Sequence, residues 1–265
     1  SDVYKRQPMT RVIINADDLG LSPRENDAIF GLMARRRLTS ATIMAAGPAV
    51  EDACRRAREF PSCSFGVHLN LTDLTPITTD EALRPLLHDQ GGFARRAREA
   101  EFTPALLAAV EREWIAQIET LRSLLAPHGV PISHLDSHHH VHTHPPLFKV
   151  LKRVQRAFGI RRVRTTMNLY HPTDPLVGGV KQRAKKKLWD MGLRWSSPRT
   201  RCTDIFTWFW IYHDLLPNVP SARTVELMVH PGSEDPIFRR EEELMDTPWE
   251  TRARGPIELI SYNDL

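Results

Sequence analysis

The chain has 265 residues, 41% hydrophobic and 26% charged, which excludes a disordered chain, a collagen-like repeat and a disulfide scaffold. Thirty-six basic against 32 acidic residues leave a formal charge of only +4, so no nucleic-acid partner is implied. Cys54, Cys63 and Cys202 are far apart and odd in number, and they read as reduced thiols, with a cytoplasmic location expected.

Residues 1–7 (SDVYKRQ) lack the apolar stretch of a signal peptide. Residues 1–8 are taken as a non-native or disordered extension, and 9–265 as a single domain. No apolar run approaches the ~18 residues of a membrane span, so no integral membrane segment is expected. Short β-branched runs then alternate with longer amphipathic segments. Residues 11–16 (RVIINA) form the first predicted strand. Ser22-Pro23-Arg24-Glu25 is a capping box with proline at the first helical position, opening a helix to about residue 37. Residues 40–45 read as strand, 48–59 as helix and 64–71 (SFGVHLNL) as strand, before a long polar stretch to about residue 101. Leu107, Val110, Trp114, Ile118, Leu121 and Leu125 then recur at helical spacing. Residues 133–137 are a short strand, and 145–158 a helix closed by Gly159. Residues 162–166, 224–230 and 258–262 complete the strand candidates. The Lys- and Arg-rich residues 181–201 read as a solvated helix face and loop rather than an anionic-surface contact. Such alternation argues for a parallel sheet with helices outside it. The number of units predicts an α/β fold, a closed or nearly closed TIM-like (β/α) barrel rather than an open sheet.

Polar groups placed where the apolar runs stop carry the chemistry. In Asn15-Ala16-Asp17-Asp18-Leu19-Gly20, two adjacent carboxylates follow a buried-looking strand, where burial demands a cation or hydrogen bonds. In Gly66-Val67-His68-Leu69-Asn70-Leu71, His68 and Asn70 share one strand face. The tract from His134 to His144 holds five histidines within residues 138–144. Its member nearest the strand end, His138, is the best candidate ligand, with His140 as competitor on the same alternating face. Met228-Val229-His230-Pro231-Gly232 ends an apolar strand in a histidine before a forced turn. One Asp and two His make a borderline-metal set that leaves coordination positions open. Asp17 and His230 would then stand beside the ion as the base and acid of metal-assisted hydrolysis.

Together these four motifs resemble the YdjC/ChbG carbohydrate deacetylases, a family that includes chitooligosaccharide deacetylases and HpnK-type enzymes of hopanoid biosynthesis. The likeness runs in order from about residue 11 to residues 260–262, with Leu19 where the family usually has Phe. It implies a distorted barrel that hydrolyses the N-acetyl group of an N-acetylated carbohydrate and releases acetate. One divalent metal is implied, Mg or Zn foremost, with Mn or Co as alternatives. Carried over by motif, Asp18, His68 and His138 are the metal ligands, Asp17 the general base and His230 the general acid. Asn70, His140 and Arg164 are further candidates for substrate contact. Residues 73–101 are expected to cover the site as a partial lid. Trp195, Trp208 and Trp210 could stack on sugar rings, although Trp208-Phe209-Trp210 reads better as core or subunit contact. The apolar C-terminal half could supply a homodimer interface. Rival readings are an iron(II) oxygenase with a two-His-one-carboxylate site, a non-catalytic carbohydrate-binding protein on the same scaffold, and a two-ion phosphoesterase barrel.

Overall fold

The computed structural model describes residues 9–173 and 179–265, so the expected extension at residues 1–8 lies outside the described residues. Its strands are β1 (Thr10–Leu19), β2 (Ser40–Ile43), β3 (Ser64–Leu69), β4 (Ile132–Ser137), β5 (Ile205–Trp208), β6 (Thr224–Val229) and β7 (Ile257–Leu259). The helices are α1 (Pro23–Ala34), α2 (Val50–Ala57), α3 (Pro104–Leu125), α4 (Phe148–Phe158), α5 (Val180–Trp195), α6 (Phe209–Leu215) and α7 (Pro236–Met245).

All strand pairs are parallel, in the order β4-β3-β2-β1-β6-β5, with β7 added against β1. Residues 162–169 join the two ends of that row. The Arg164 N–H donates to Leu135 O of β4 at 3.1 Å, and the Leu169 N–H donates to Phe206 O of β5 at 2.9 Å. Backbone hydrogen bonds therefore run a full circuit, which is the expected distorted barrel. The distortion has a local cause. Residues 162–169 contribute isolated bridges where a regular strand would stand.

Local sequence explains the individual elements. Both β2 and β3 are buried along their whole length, as parallel strands covered on two faces must be. The Ser22 hydroxyl accepts the Arg24 N–H at 3.1 Å to start α1. That helix stops at Ala34, short of residue 37, because Arg36 turns the chain at φ 58°. On α3, Val110, Trp114, Ile118 and Leu121 are fully buried along one face; burying each contributes roughly 1.5–3 kcal/mol. Gly159 ends α4 in the left-handed region at φ 69°. Residues 205–215 (IFTWFWIYHDL) fold as β5 running directly into α6, elements absent from the sequence expectation. A largely apolar run with no Gly or Pro carries no mark of where strand becomes helix. All three cysteines are free and buried, and no helix of the described residues is long and apolar enough to cross a membrane.

Because the strands of the ring run the same way, their C-terminal ends share one rim. That rim receives Asp17 and Asp18 from β1, His68 from β3, His138 just past β4 and His230 just past β6.

Candidate metal centre

Adjacent residues of a regular strand face opposite ways, so Asp17 and Asp18 should not share a site. The end of β1 breaks that rule. Ala16 pairs with Ala41 but Leu19 with Ile43, so β1 spends one residue more than β2 over the same length. In this bulge Asp18 takes φ 65°, a left-handed conformation that Asp tolerates better than most residues. Both carboxylates then reach the same imidazole. Asp17 Oδ2 lies 4.0 Å and Asp18 Oδ1 3.3 Å from His68 Nε2.

His68 is buried and held from behind. Its Nδ1 stands 2.7 Å from Asp136 Oδ1 and 3.1 Å from Thr42 Oγ1, while the Thr42 hydroxyl donates to Asp136 Oδ2 at 3.0 Å. A proton on Nδ1, donated to Asp136, leaves the Nε2 lone pair facing Asp18. His138 brings its Nδ1 to 2.9 Å from Asp18 Oδ1, and its Nε2 lies 3.8 Å from Asp73 Oδ2. One ligand atom from each of Asp18, His68 and His138 falls within 4.8 Å of the others.

Proximity here is not hydrogen bonding. Asp18 Oδ1, His68 Nε2 and His138 Nε2 are all buried without a hydrogen-bond partner. An unpaired buried polar atom costs about 1–3 kcal/mol. A cation held by Asp18, His68 and a nitrogen of the His138 ring would relieve Asp18 Oδ1 and His68 Nε2 together. One carboxylate oxygen and two imidazole nitrogens suit a borderline divalent ion and leave positions open. The residues present therefore fit the metal. Burial pulls the His68 pKa down, but Asp136 and Asp17 hold it well above the ordinary value. Burial raises the Asp18 pKa, and its contacts with His138 and His68 outweigh that and keep it ionised well below the usual carboxylate range.

Asp17 belongs to a second layer of charge. Arg164 grips it with two hydrogen bonds, from Nη2 to Oδ1 at 2.6 Å and from Nη1 to Oδ2 at 2.8 Å. The same guanidinium lies 2.9 Å from Asp136 Oδ2, and its Nε donates to Glu226 Oε1 at 2.8 Å. Tyr262 closes the layer by donating its hydroxyl to Glu226 Oε2 at 2.5 Å. Burial pushes the Asp17 pKa up, yet the Arg164 charge and hydrogen bonds hold it below the carboxylate range. His230 Nε2 stands 4.0 Å from Asp17 Oδ2. Burial lowers the His230 pKa and outweighs the pull of Asp17, so the free imidazole rests largely neutral at pH 7.

Three further sequence candidates are placed as follows. Arg164, expected at the substrate, is 1% exposed and saturated by three carboxylates. Asn70 is also buried, and its Oδ1 accepts the Thr72 and Asp73 N–H groups, shaping the loop after β3. The 73–101 stretch, expected as a partial lid, is fastened to α3. Glu113 of α3 accepts the N–H groups of Ile77 and Thr78, and Leu83, Leu86 and Phe93 are buried beneath the loop. His140 remains at the site's edge, at φ 55°, with a partnerless Nδ1 and its ring 5.4 Å from that of Phe206. Of the tryptophans, Trp208 flanks His230 with ring centres 5.5 Å apart, whereas Trp195 is largely exposed on α5. Phe209 enters the core, as expected. Asp136, Thr42 and Asp73 were not singled out from sequence. Asp136 had a signal, since it lies two residues before His138 and so shares its strand face.

Comparison with known proteins follows the same lines. A carbohydrate deacetylase of Oceanobacillus iheyensis is 38% identical over 150 residues, 57% of this chain and 63% of that protein. A carbohydrate deacetylase of Geobacillus stearothermophilus is 37% identical over 163 residues, 61% of this chain and 63% of that protein. The chain thus spans less than two thirds of the length of these curated relatives. A crystal structure from Enterococcus faecalis, described as a cellobiose-phosphate cleavage protein, superposes with a TM-score of 0.71 at 24% identity. It covers 97% of this chain and 98% of its own, and supports the fold. The profile of the family described as YdjC-like protein matches residues 11–254, and the chain belongs to that family.

Proposed function

We propose that this chain is a metal-dependent hydrolase that removes the N-acetyl group from an N-acetylated sugar and releases acetate. The observation that carries the reading is the convergence of ligand atoms from Asp18, His68 and His138, with Asp18 Oδ1 and His68 Nε2 lacking any hydrogen-bond partner, beside an ionised Asp17. The relatives named carbohydrate deacetylase support the choice of substrate class.

In this reading Asp18, His68 and His138 hold one divalent ion. When bound, the ion would acidify water and polarise the acetamide carbonyl. Asp136 and Thr42 fix the His68 ring so that Nε2 stays a ligand. Asp17, kept off the ion by the Arg164 clamp, accepts the proton of the attacking water. Its low pKa makes it a weak base, sufficient for a water already acidified. Amide nitrogen leaves only when protonated, and His230 lies 4.0 Å from Asp17 to relay that proton to it. The proton balance closes, because what Asp17 takes from water His230 returns to the departing amine. Trp208 beside His230 offers an apolar face for a sugar ring.

A screen for acetate release across N-acetylated sugars, with divalent ions restored after chelation, tests the proposal. Ion-dependent release from at least one sugar is expected. Release that is indifferent to chelation, or none from any N-acetyl sugar, would count against it.

A further inference from the structure

Helix α5 buries little of itself. Among its side chains Asp190 and Leu193 are buried, while Val180, Leu188, Met191 and Trp195 are 84%, 70%, 49% and 67% exposed. At 100° per residue these four and Ala184 fall within an arc of roughly 80°. That is a continuous apolar stripe facing out. Lys181 and Lys185 border it on one side, Arg183 and Lys187 on the other, and all four are exposed. The helix's acidic residue, Asp190, is turned inward and paired with Arg194 at 2.6 Å. Every exposed charge on α5 is therefore positive.

The C-terminal end of the helix is anchored. Lys152 of α4 donates its ammonium to Pro198 O at 3.0 Å and Thr200 Oγ1 at 2.7 Å just beyond the helix. Arg194 donates to Cys202 O and Thr203 O at 3.0 and 2.6 Å. The inner face packs towards the barrel rim, where Lys186 Nζ donates to Asn168 Oδ1 at 3.1 Å. Nothing in this anchoring covers the outer face.

We infer that α5 docks in the plane of an anionic lipid surface, its apolar stripe entering the headgroup boundary and its basic flanks meeting lipid phosphates. Charge selects this occupant. A second copy of the chain would set the same basic flanks against one another in a two-fold interface. A nucleic acid would satisfy the lysines but leave Leu188, Met191 and Trp195 in water. An anionic surface with an apolar interior meets both halves of the pattern. The inference stands on α5 alone and is independent of the proposed reaction.

Sedimentation with phosphatidylcholine vesicles, with and without phosphatidylglycerol, tests it. Binding is expected to the anionic vesicles alone and to weaken as salt is raised. Lys185→Glu with Lys187→Glu should cut partitioning at least about tenfold, and Leu188→Asp with Trp195→Asp should abolish it. Far-UV circular dichroism should show both variants folded, since these side chains are exposed. A blue shift in tryptophan emission on vesicle binding should vanish in Trp195→Phe. No binding to anionic vesicles, binding that both paired variants retain, or self-association removed by Leu188→Asp without vesicle binding would each overturn the inference.

Discussion

Three side chains show how a single residue's chemistry is set by what surrounds it. Asp17 is ionised because Arg164 clamps it, and it stays off the proposed ion for the same reason. Asp17→Asn should therefore keep its affinity for the divalent ion and lose about 10²–10⁴-fold in turnover, read by paired ion titration and acetate release. Asp136 acts one step further back, through the His68 ring. Asp136→Asn should weaken ion affinity by about 10–100-fold, as loss of a ligand's orienting carboxylate does elsewhere. Glu241 on α7 is a different case. It is fully buried with Oε2 unpartnered, and burial drives its pKa from 4.5 to about 8. A pKa raised on folding means the native state binds the proton more tightly. The stability it contributes is complete below pH 4.5 and is lost as pH rises towards 8. Urea unfolding should show Glu241→Gln overtaking the parent as pH rises from 5.5 to 8, by on the order of a few kcal/mol. An unchanged difference between the two across that range would remove Glu241 as the cause. Sequence showed Asp17, Asp18, His68 and His138 as polar residues at the ends of apolar runs. It did not show the ion-pair role of Arg164, because alternation along a run names a face but not the three carboxylates that other strands bring to it.

The elements turn those residues into a site. The bulge at Asp18 depends on the tight pass of the β1–α1 turn over the loop after β2. Gly47 lies there, and a Cβ on it would fall 2.2 Å from Gly20 O, a backbone atom that cannot rotate away. Gly47→Ala should cost about 1–3 kcal/mol, and it should lower ion affinity by displacing Asp18 two residues upstream of Gly20. Unfolding and ion titration on the same variant check both; a stable variant with full affinity would show that the turn does not hold the bulge. None of this was visible in sequence, because a bulge is a statement about register between two strands. The regular strands were legible from β-branched runs, and α1 from its capping box. Residues 162–166 were read as strand, yet they and the following residues to 169 bond only as isolated bridges. α7 went unread, its charged Arg-Arg-Glu-Glu-Glu stretch giving little apolar period to follow.

At the scale of the molecule, the barrel's circuit of hydrogen bonds makes one rim out of strand ends far apart in the chain. Residues 18, 68 and 138 meet there, with residue 230 across from Asp17. The fold class was legible because strand and helix alternate through most of the chain. A barrel was expected from the number of units, but not that its closing segment, residues 162–169, bonds only through isolated bridges. The continuous row β4-β3-β2-β1 brings these three distant residues to one end of the sheet, so direct binding is the decisive observable. Calorimetric titration of chelator-stripped protein with a divalent ion should give one site per chain. Asp18→Asn keeps a side chain that tolerates the left-handed backbone and should weaken that site by at least about 100-fold. Equal affinity in the parent and in Asp18→Asn, or no stoichiometric site at all, would contradict the assignment of Asp18, His68 and His138.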